Sequence, residues 1–446
     1  MPFPMTPIAE SKPFIWKGWE VGTLPPLGDH SEKKLELIRE YLVLYLQILL
    51  ANAHGKPLQE VTLIDGFAGG GVYQEQRKGS PLVILEAVEE AMRLVNLGRE
   101  KPVTIVPICY FIEEDPDAAA CLEHQLKLAG YGPRIGKTVH IRRATFAASV
   151  PEIIEDVRRR HPQGGNRTIF LLDQCGYTDV PAALIKNIDI KLNGRAEFII
   201  NFSIGWFGDF FSAATASNYQ GMIKRMGLEG HLDVNRLLSQ RVSLGGHWKH
   251  AVESHIGRGY HSSTGIKFFS PFYIEPHDNH RGYWLLHLAQ NQRARSAMMQ
   301  IHWSKANRSK HYGPLGYDIL SYKSDLDPTL YLKGMTFDDS TRTKCRDQLA
   351  QDYARLVRDR FQEGLPYADL ADRTCNDTIA DNKLLGDVLW QLYGANEIEI
   401  LSPTGKAKRA LKFNANDIIR VKRQLIIPGM GGSAIPLQRP RRTSAR

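Results

Sequence analysis

The stretch VTLIDGFAGGG, residues 61–71, is a short apolar β run that ends at Asp65 and continues into a glycine-rich turn. Gly66, Gly69, Gly70 and Gly71 let the backbone of this turn bend tightly and approach a ligand closely. The spacing differs from the dinucleotide pattern G-x-G-x-x-G, and no Gly-Lys-Ser/Thr follows, as a P-loop would require. An ordinary strand and turn is the alternative. Because ligands of open α/β sheets bind beyond the carboxyl ends of the strands, we predict a ligand-binding turn here.

Outward from this stretch, apolar strands alternate with helices. Residues 31–52 predict an amphipathic helix before the turn, and Ser80-Pro81 opens another helix after it. Further apolar runs follow at 103–115, 139–144, 168–177 and 196–203. Such alternation is typical of βαβ units on a parallel sheet, so we predict a Rossmann-like α/β domain over residues 31–310. We expect a mostly helical insertion at about 204–262 and a final antiparallel hairpin that turns near 277–280.

The last quarter of the chain has a different pattern. Three helices are predicted over 342–362, from Pro366 onward and over 379–393, and EIEILSPTGKAKRALKF then predicts a β-hairpin with Gly405 in its turn. Three helices followed by a hairpin is the order of a winged helix-turn-helix domain, which we assign to 341–428. We interpret 1–30 as an extended arm, 311–340 as a connector and 429–446 as a disordered basic tail.

The positive charge is concentrated in that last quarter. The chain has a formal net charge of +9, and residues 341–446 contain 19 of its Lys and Arg but only 12 of its Asp and Glu. This asymmetry indicates a C-terminal module that faces a polyanion, although a basic surface without a ligand is an equal alternative. Phosphate contacts are predicted for the wing, at Lys406, Lys408, Arg409 and Lys412.

Two further acids end predicted strands. Glu113, in YFIEED, can accept both ribose hydroxyls of a nucleoside cofactor, although its neighbours Glu114 and Asp115 could equally cap the next helix. Asp173, in FLLDQCGY, ends the fourth predicted strand. Cys175 lacks a neighbouring histidine and reads as an unreactive thiol.

The turn DGFAGGG resembles motif I of class I S-adenosylmethionine-dependent methyltransferases, in which D-x-F-x-G-x-G is typical of DNA-modifying branches. The resemblance implies a class I methyltransferase fold and S-adenosyl-L-methionine as cofactor. It also implies that Asp173 stands where this class has its catalytic motif, although Gln174, Cys175 and Gly176 replace the prolines of the Asp/Asn-Pro-Pro-aromatic form. The cofactor would then be held by Asp65, Gly66, Phe67, Gly69, Gly71 and Glu113.

Over about residues 16–305, the order of motifs resembles the three-Cys-motif partner proteins, the TcmP family. The resemblance rests on HSEKKLELIREYLVLYLQIL, LIDGFAGGGVY, GSPL, FIEED, FLLDQCG, FIINFS and YWLLHLAQNQRARSAMMQIHW. Family members more often have Asp-Pro-Phe-Gly at residues 173–176. The C-terminal segment looks like the GMT-like winged helix domain. The resemblance implies a partner protein with three cysteines, encoded nearby in a bacterial genome, and a mobile-element or defence context.

Other features exclude several classes of protein. The five cysteines form no C-x-x-C pair, and the histidines at 247–261 have no metal-binding spacing, so no metal site is predicted. No signal peptide or membrane span is predicted, and we expect a cytoplasmic protein. The leading hypothesis is a cofactor-binding, methyltransferase-like protein that acts on or near nucleic acid. The alternative is a non-catalytic adaptor or DNA-binding protein that retains the fold.

Overall fold

The computed structural model describes residues 16–51, 58–164, 167–174, 178–202, 212–244, 248–274, 283–304, 310–312, 315–317, 334–408 and 412–422. The predicted basic tail, the first half of the predicted arm and Cys175 lie outside these residues. Among the described helices, none has the length and apolar character needed to cross a bilayer.

Within the described residues, nine strands form one sheet in the order β3-β2-β1-β4-β5-β7-β6-β8-β9. The first five pair in parallel, and β7 runs antiparallel to both β5 and β6. The strands are β1 Leu58–Asp65, β2 Thr104–Ile112, β3 Val139–Arg142, β4 Thr168–Leu172, β5 Ala196–Phe202, β6 Phe268–Ile274, β7 Tyr283–Ala289, β8 Lys310–Tyr312 and β9 Gly334–Thr336. The first seven strands have the class I methyltransferase topology, which confirms the predicted fold class.

The helices cover both faces of this sheet and build the C-terminal domain. They are α1 Asp29–Ala51, α2 Ser80–Asn96, α3 Pro116–Leu128, α4 Phe146–Arg160, α5 Ala182–Lys191, α6 Ala216–Met226, α7 Val234–Leu244, α8 Trp248–Thr264, α9 Gln292–Ser304, α10 Asp339–Arg360, α11 Tyr367–Thr374 and α12 Asn382–Gly394. The described part of the predicted insertion is helical and consists of α6, α7 and α8.

Two apolar cores fill the space between sheet and helices. On one face, α1, α2, α3 and α9 pack on the strands through side chains such as Tyr41, Leu85 and Met298. On the other face, α4, α5, α6 and α8 pack through side chains such as Ile153, Ile185 and Tyr260. The strands are therefore covered on both sides, which explains their nearly continuous apolar runs.

The C-terminal domain contains α10, α11 and α12 and a small sheet of β10 Leu365–Pro366, β11 Ile398–Leu401 and β12 Ile418–Val421. Its apolar core is continuous with the core between the large sheet and helices α1, α2, α3 and α9. Cys345, Leu349 and Leu389 belong to the same buried cluster as Met298 and Trp303. The winged helix therefore packs directly on the α/β domain.

Two details differ from the sequence-based expectations. The range assigned to a connector, 311–340, contains β9 and the last two residues of β8, and both strands extend the large sheet. Within residues 398–408, the predicted tight hairpin forms a bridge between Leu401 and Ala407 and the turn hydrogen bonds around Gly405, whereas β11 pairs along its length with β12. Gly405 occupies the turn with a φ of +80°. The strand-forming residues IIRV at 418–421 lie beyond the segment that the turn pattern could indicate.

Candidate functional site

The glycine-rich turn lies at the topological switch point of the sheet. The strand that leads into the turn, β1, pairs with β2 on one side and with β4 on the other. The order in which successive strands join the sheet reverses at this point. The turn itself is tied to both neighbours, because Gly66 N donates to the Leu171 carbonyl at 2.9 Å and Ala68 N donates to the Ile112 carbonyl at 2.9 Å. In doubly wound sheets this crevice is the ligand site.

Backbone conformation and close packing together explain why this loop is rich in glycine. Gly69 and Gly71 have φ values of +62° and +83°, a region that disfavours residues with a side chain. A Cβ atom on Gly66 would lie 2.7 Å from Cδ2 of Leu172, and one on Gly71 would lie 2.9 Å from Cδ1 of Leu122. The bare backbone is thereby held close to the crevice, as a ligand cradle requires.

Glu113 reaches this loop from the end of β2. Its Oε2 accepts a hydrogen bond from Gly69 N at 2.8 Å, and its Oε1 accepts one from Asp115 N at 2.9 Å. Burial raises the pKa of Glu113, and these two N–H donors oppose the shift. Each carboxylate oxygen keeps acceptor capacity for a hydroxyl. Asp115, by contrast, caps α3, one of the two capping residues that the sequence left open.

Asp65 ends β1 and is 1% exposed. Its Oδ1 accepts a hydrogen bond from Phe67 N at 3.2 Å, which fixes the start of the turn. Burial raises the pKa of Asp65 to about 7, and the negative charges of Asp173 and Glu113 act in the same direction. The half-buried Phe67 ring lies 6.1 Å from the Phe146 ring, so an apolar surface adjoins the carboxylates.

Asp173 follows β4 and forms an ion pair with Lys34 of α1. Its Oδ1 also accepts a hydrogen bond from Asn201 Nδ2 of β5 at 2.7 Å. The Asp173 side chain is 41% exposed, whereas that of Lys34 is 6% exposed. One carboxylate is therefore fixed by two elements and still open to the crevice.

Lys34 and Asn201 are site residues that sequence reasoning missed. Within SEKKLELIREY, Lys34 falls on the same helical face as Ile38 and Tyr41, a position that normally takes an apolar side chain. That spacing was the signal available for Lys34. Asn201 is 4% exposed in an otherwise apolar strand, and a buried amide of this kind requires a partner.

Two buried polar atoms remain beside Asp173. Gln174 Nε2 and Asn201 Oδ1 have no hydrogen-bond partner among the described residues. Buried polar atoms generally bond to protein, water or ligand, so each of these two atoms calls for a partner beyond the described contacts.

The residues at this edge fit a nucleoside cofactor. The loop supplies close backbone approach, Glu113 supplies acceptors suited to a ribose diol, and Phe67 supplies an apolar surface. All of the predicted cofactor residues, together with Asp173, lie around the carboxyl ends of β1, β2 and β4.

The predicted wing residues do not form one group. Lys406 and Lys412 are exposed, whereas Lys408 forms an ion pair with Asp417, with side chains 12% and 1% exposed. Contrary to the expectation for the wing, the charge of Lys408 is directed inward and neutralised. Arg409 lies outside the described residues.

The start of α12, the helix at the recognition position of the winged helix, is occupied by the α/β domain. The Asn382 side chain exchanges hydrogen bonds with that of Gln292, and its backbone N–H donates to Ser296 Oγ at 2.9 Å. The exposed residues farther along α12 include one acid, Asp387, beside Lys383. This helix is therefore poorly arranged to enter a DNA groove with its first turn.

Several solved methyltransferases are similar in fold at low identity. Trm1 from Pyrococcus horikoshii, in complex with S-adenosyl-L-methionine, is 12% identical, with 85% of this chain and 91% of that chain covered and a TM-score of 0.29. A putative methyltransferase from Escherichia coli is 10% identical, with 55% and 87% covered and a TM-score of 0.21. The fold class is assigned from the strand order and not from these similarities.

No curated protein matches the chain. A family model does match its C-terminal part: residues 321–405 correspond to the GMT-like wHTH domain. The matched residues include α10, α11, α12, β10 and β11, and β12 follows them. The chain therefore combines a methyltransferase-like α/β domain with a C-terminal winged helix that matches the GMT-like family model.

Proposed function

We propose that this protein binds S-adenosyl-L-methionine in the crevice beyond β1, β2 and β4 and transfers its methyl group to an acceptor. The hydrogen bond between Gly69 N and Glu113 Oε2 is the observation that carries the proposal. It joins the glycine loop to an acid at the end of the next strand, the arrangement used for the ribose of nucleoside cofactors.

S-Adenosyl-L-methionine, when bound, supplies an electrophilic methyl group. Glu113 would accept the ribose hydroxyls, and the backbone of Gly69–Gly71 would allow close approach. Asp173, held by Lys34 and Asn201, would accept a hydrogen bond from the amine or hydroxyl of the acceptor. Lys34 would offset part of the negative charge that Asp65, Glu113 and Asp173 bring together.

Isothermal titration with S-adenosyl-L-methionine tests the proposal. Glu113→Ala should weaken binding by at least about tenfold, because a charge-assisted hydrogen bond contributes about 1.5–3 kcal/mol. Glu114→Ala is the matched control, since this neighbouring side chain is exposed and should leave the affinity unchanged. Absence of binding to the wild-type protein, or equal effects of the two substitutions, would contradict the assignment.

For the acceptor we propose nucleic acid, contacted through the wing. Lys406 and Lys412 are exposed on this part of the domain. Phosphate contacts of this kind supply affinity without reading base sequence. The occupied first turn of α12 favours this mode over groove reading by the helix.

A second candidate function is a non-catalytic adaptor that retains the fold. The ion pair between Lys34 and Asp173 favours it, because a neutralised carboxylate is a weaker acceptor for an incoming amine. Gln174 and Cys175 in place of prolines point the same way.

Mass spectrometry of nucleic acid incubated with the protein and cofactor separates the two functions. Methylated product that disappears in Asp173→Ala, with cofactor affinity kept within severalfold, supports catalysis. If Asp173→Ala loses cofactor binding instead, Asp173 belongs to the cofactor shell. Cofactor binding without product supports the adaptor.

From the resemblance to the TcmP family, we also propose a three-Cys-motif partner protein. The support is the order of motifs over about residues 16–305. The resemblance implies that such a protein is encoded nearby. Its co-expression with this chain should yield a stable complex on size-exclusion chromatography, and separate elution would count against the partnership. The same mass-spectrometry assay, with and without the partner, tests whether the partner is needed for product.

A further inference from the structure

Residues 16–28 pass over the outside of the glycine loop before α1 begins, and we call them the N-terminal strap. Trp16 is 3% exposed and packs on Ala118 and Cys121 of α3. Its ring meets that of Tyr73 edge to face, with centroids 5.4 Å apart. A residue preceding the first helix is therefore part of the loop's packing.

A second anchor holds the strap to the segment that follows the loop. Gln74 N donates to the Pro25 carbonyl at 2.9 Å. Farther along α3, the Trp19 ring lies 5.3 Å from that of His124. Trp16 contacts both the loop and α3, whereas Trp19 packs against the cluster of Trp16, Ala118 and Cys121 and against His124 of α3.

Gly70 reveals how closely Trp16 approaches the loop. A Cβ atom on Gly70 would lie 2.2 Å from Cζ3 of Trp16, nearer than any real Cβ contact. The Cβ position of Gly69 lies 3.5 Å from Cζ2 of the same ring. Unlike Gly69 and Gly71, Gly70 has no positive φ. Its small size is therefore needed for the Trp16 ring and not for backbone geometry.

We propose that Trp16 is a positioning residue for the cofactor: its ring holds the Gly69–Gly71 loop in the shape that brings Gly69 N to Glu113. The proposal rests on cofactor binding in this crevice, as proposed above. A bare glycine loop has large conformational freedom, and ligand binding must pay for ordering it. Packing of Trp16 on one side orders the loop in advance and so raises affinity.

A double-mutant cycle on Trp16 and Gly70 tests this role, with S-adenosyl-L-methionine affinity measured by isothermal titration. Gly70→Ala should lower affinity about tenfold or more, because the added methyl displaces the Trp16 ring. Trp16→Ala should have a similar effect. The double variant should bind no more weakly than Trp16→Ala alone, since the clash has been removed.

Two controls separate this role from general packing. Trp19→Ala removes an aromatic side chain of the same strap that lies against α3, and it should change affinity by less than about twofold. Trp16→Phe keeps a ring over the loop and should retain most of the affinity. Thermal unfolding of each variant without cofactor establishes that the protein is folded. If Trp16→Ala does not fold, the affinities of the single variants Gly70→Ala and Trp16→Phe test the proposal instead.

Additive losses in the double variant, or wild-type affinity in Trp16→Ala, would overturn the role of Trp16 while leaving the cofactor assignment intact. If the wild-type protein itself binds no S-adenosyl-L-methionine, the proposed function fails and the role of Trp16 fails with it.

Discussion

Gly69 combines two constraints at a single residue. Its φ of +62° is strained for any side chain, and its Cβ position lies 3.2 Å from the Tyr73 hydroxyl. We expect Gly69→Val to displace the N–H that Glu113 accepts and to weaken S-adenosyl-L-methionine binding at least about 100-fold by titration, since β-branched residues are genuine outliers at positive φ.

The matched control for Gly69 is Gly98→Val. Gly98 has a φ of +73°, and no described atom lies within 4 Å of its Cβ position. This variant carries similar backbone strain away from the crevice and should bind normally. Equal loss of affinity in both variants would assign the effect of Gly69→Val to stability and not to the loop.

Asp65 makes stability depend on pH. Burial raises its pKa from 3.8 to about 7, against hydrogen bonds from the Ser80 side chain and Phe67 N–H. The folded chain therefore binds a proton that the unfolded chain releases between these values, so stability falls as pH rises from about 4 to about 7. The difference corresponds to at most about 4 kcal/mol.

We expect Asp65→Asn to remove this contribution. Measured by thermal unfolding, the melting temperature of the wild-type protein should fall relative to that of the variant between pH 4 and pH 7, with no further divergence above. Asp117→Asn, which removes an exposed charge from α3, should not change the pH profile. A wild-type profile parallel to that of Asp65→Asn would show that Asp65 is not the responsible group.

At the scale of elements, β1 and its turn were predictable because local sequence alone determines them. Short apolar runs located the strands, and glycine spacing located the loop. The spacing in α1 marks Lys34 as a lysine on the buried face but does not give its partner. Trp16 has no such signal. Each residue acts through a partner far along the chain. Lys34 meets Asp173 across 139 positions, and Trp16 meets Gly70 across the whole of α1 and β1. The roles proposed for these residues stay predictions.

The wing was predicted less well for the same reason. The pattern around Gly405 located a turn, but the strand that pairs with β11 is β12, which begins at Ile418. A turn pattern fixes only the residues next to it, whereas pairing depends on which later segment is apolar and free to add to the sheet.

Helix α9 carries the contact between the two domains. Arg295 is 0% exposed, and its guanidinium donates hydrogen bonds to the Thr378 and Ala380 carbonyls of the C-terminal domain. The Trp303 indole donates to the Ile379 carbonyl at 2.9 Å. Three consecutive carbonyls before α12 are thereby fixed by one helix of the α/β domain.

Arg295→Met should destabilise the protein by about 2–4 kcal/mol, because two buried carbonyls lose their donor. A lower melting temperature and faster tryptic cleavage between α9 and α10 are the expected results. Arg293→Met removes an exposed arginine from the same helix and should change neither. Unchanged stability of Arg295→Met would indicate that apolar packing alone joins the domains.

For the whole molecule, this contact means that the winged helix is held against the α/β domain and is not a freely tethered module. Lys267 Nζ of the α/β domain also pairs with Asp372 Oδ2 at 2.7 Å, and Asn376 Nδ2 donates to the Lys267 carbonyl at 2.8 Å. A nucleic acid that contacts the wing would therefore meet the crevice at a fixed distance and orientation. Such an arrangement limits which acceptor atoms can reach Asp173.

We expect the full chain to bind nucleic acid through the exposed lysines of the wing. Lys406 and Lys412 are exposed, so each can release about one counterion on contacting a phosphate. Lys406→Ala combined with Lys412→Ala should weaken binding at low salt and reduce the slope of log affinity against log salt by about 1–2. Fluorescence anisotropy across a salt series measures both effects.

Lys408→Ala is the control that the structure supplies. Because Lys408 is paired with the buried Asp417, its loss should lower the melting temperature and leave the salt slope unchanged. A slope that falls equally in Lys408→Ala would mean that all three lysines reach phosphate. Wild-type binding that is absent or insensitive to salt would instead assign the winged helix to protein contact, since a phosphate interface without counterion release is physically inconsistent.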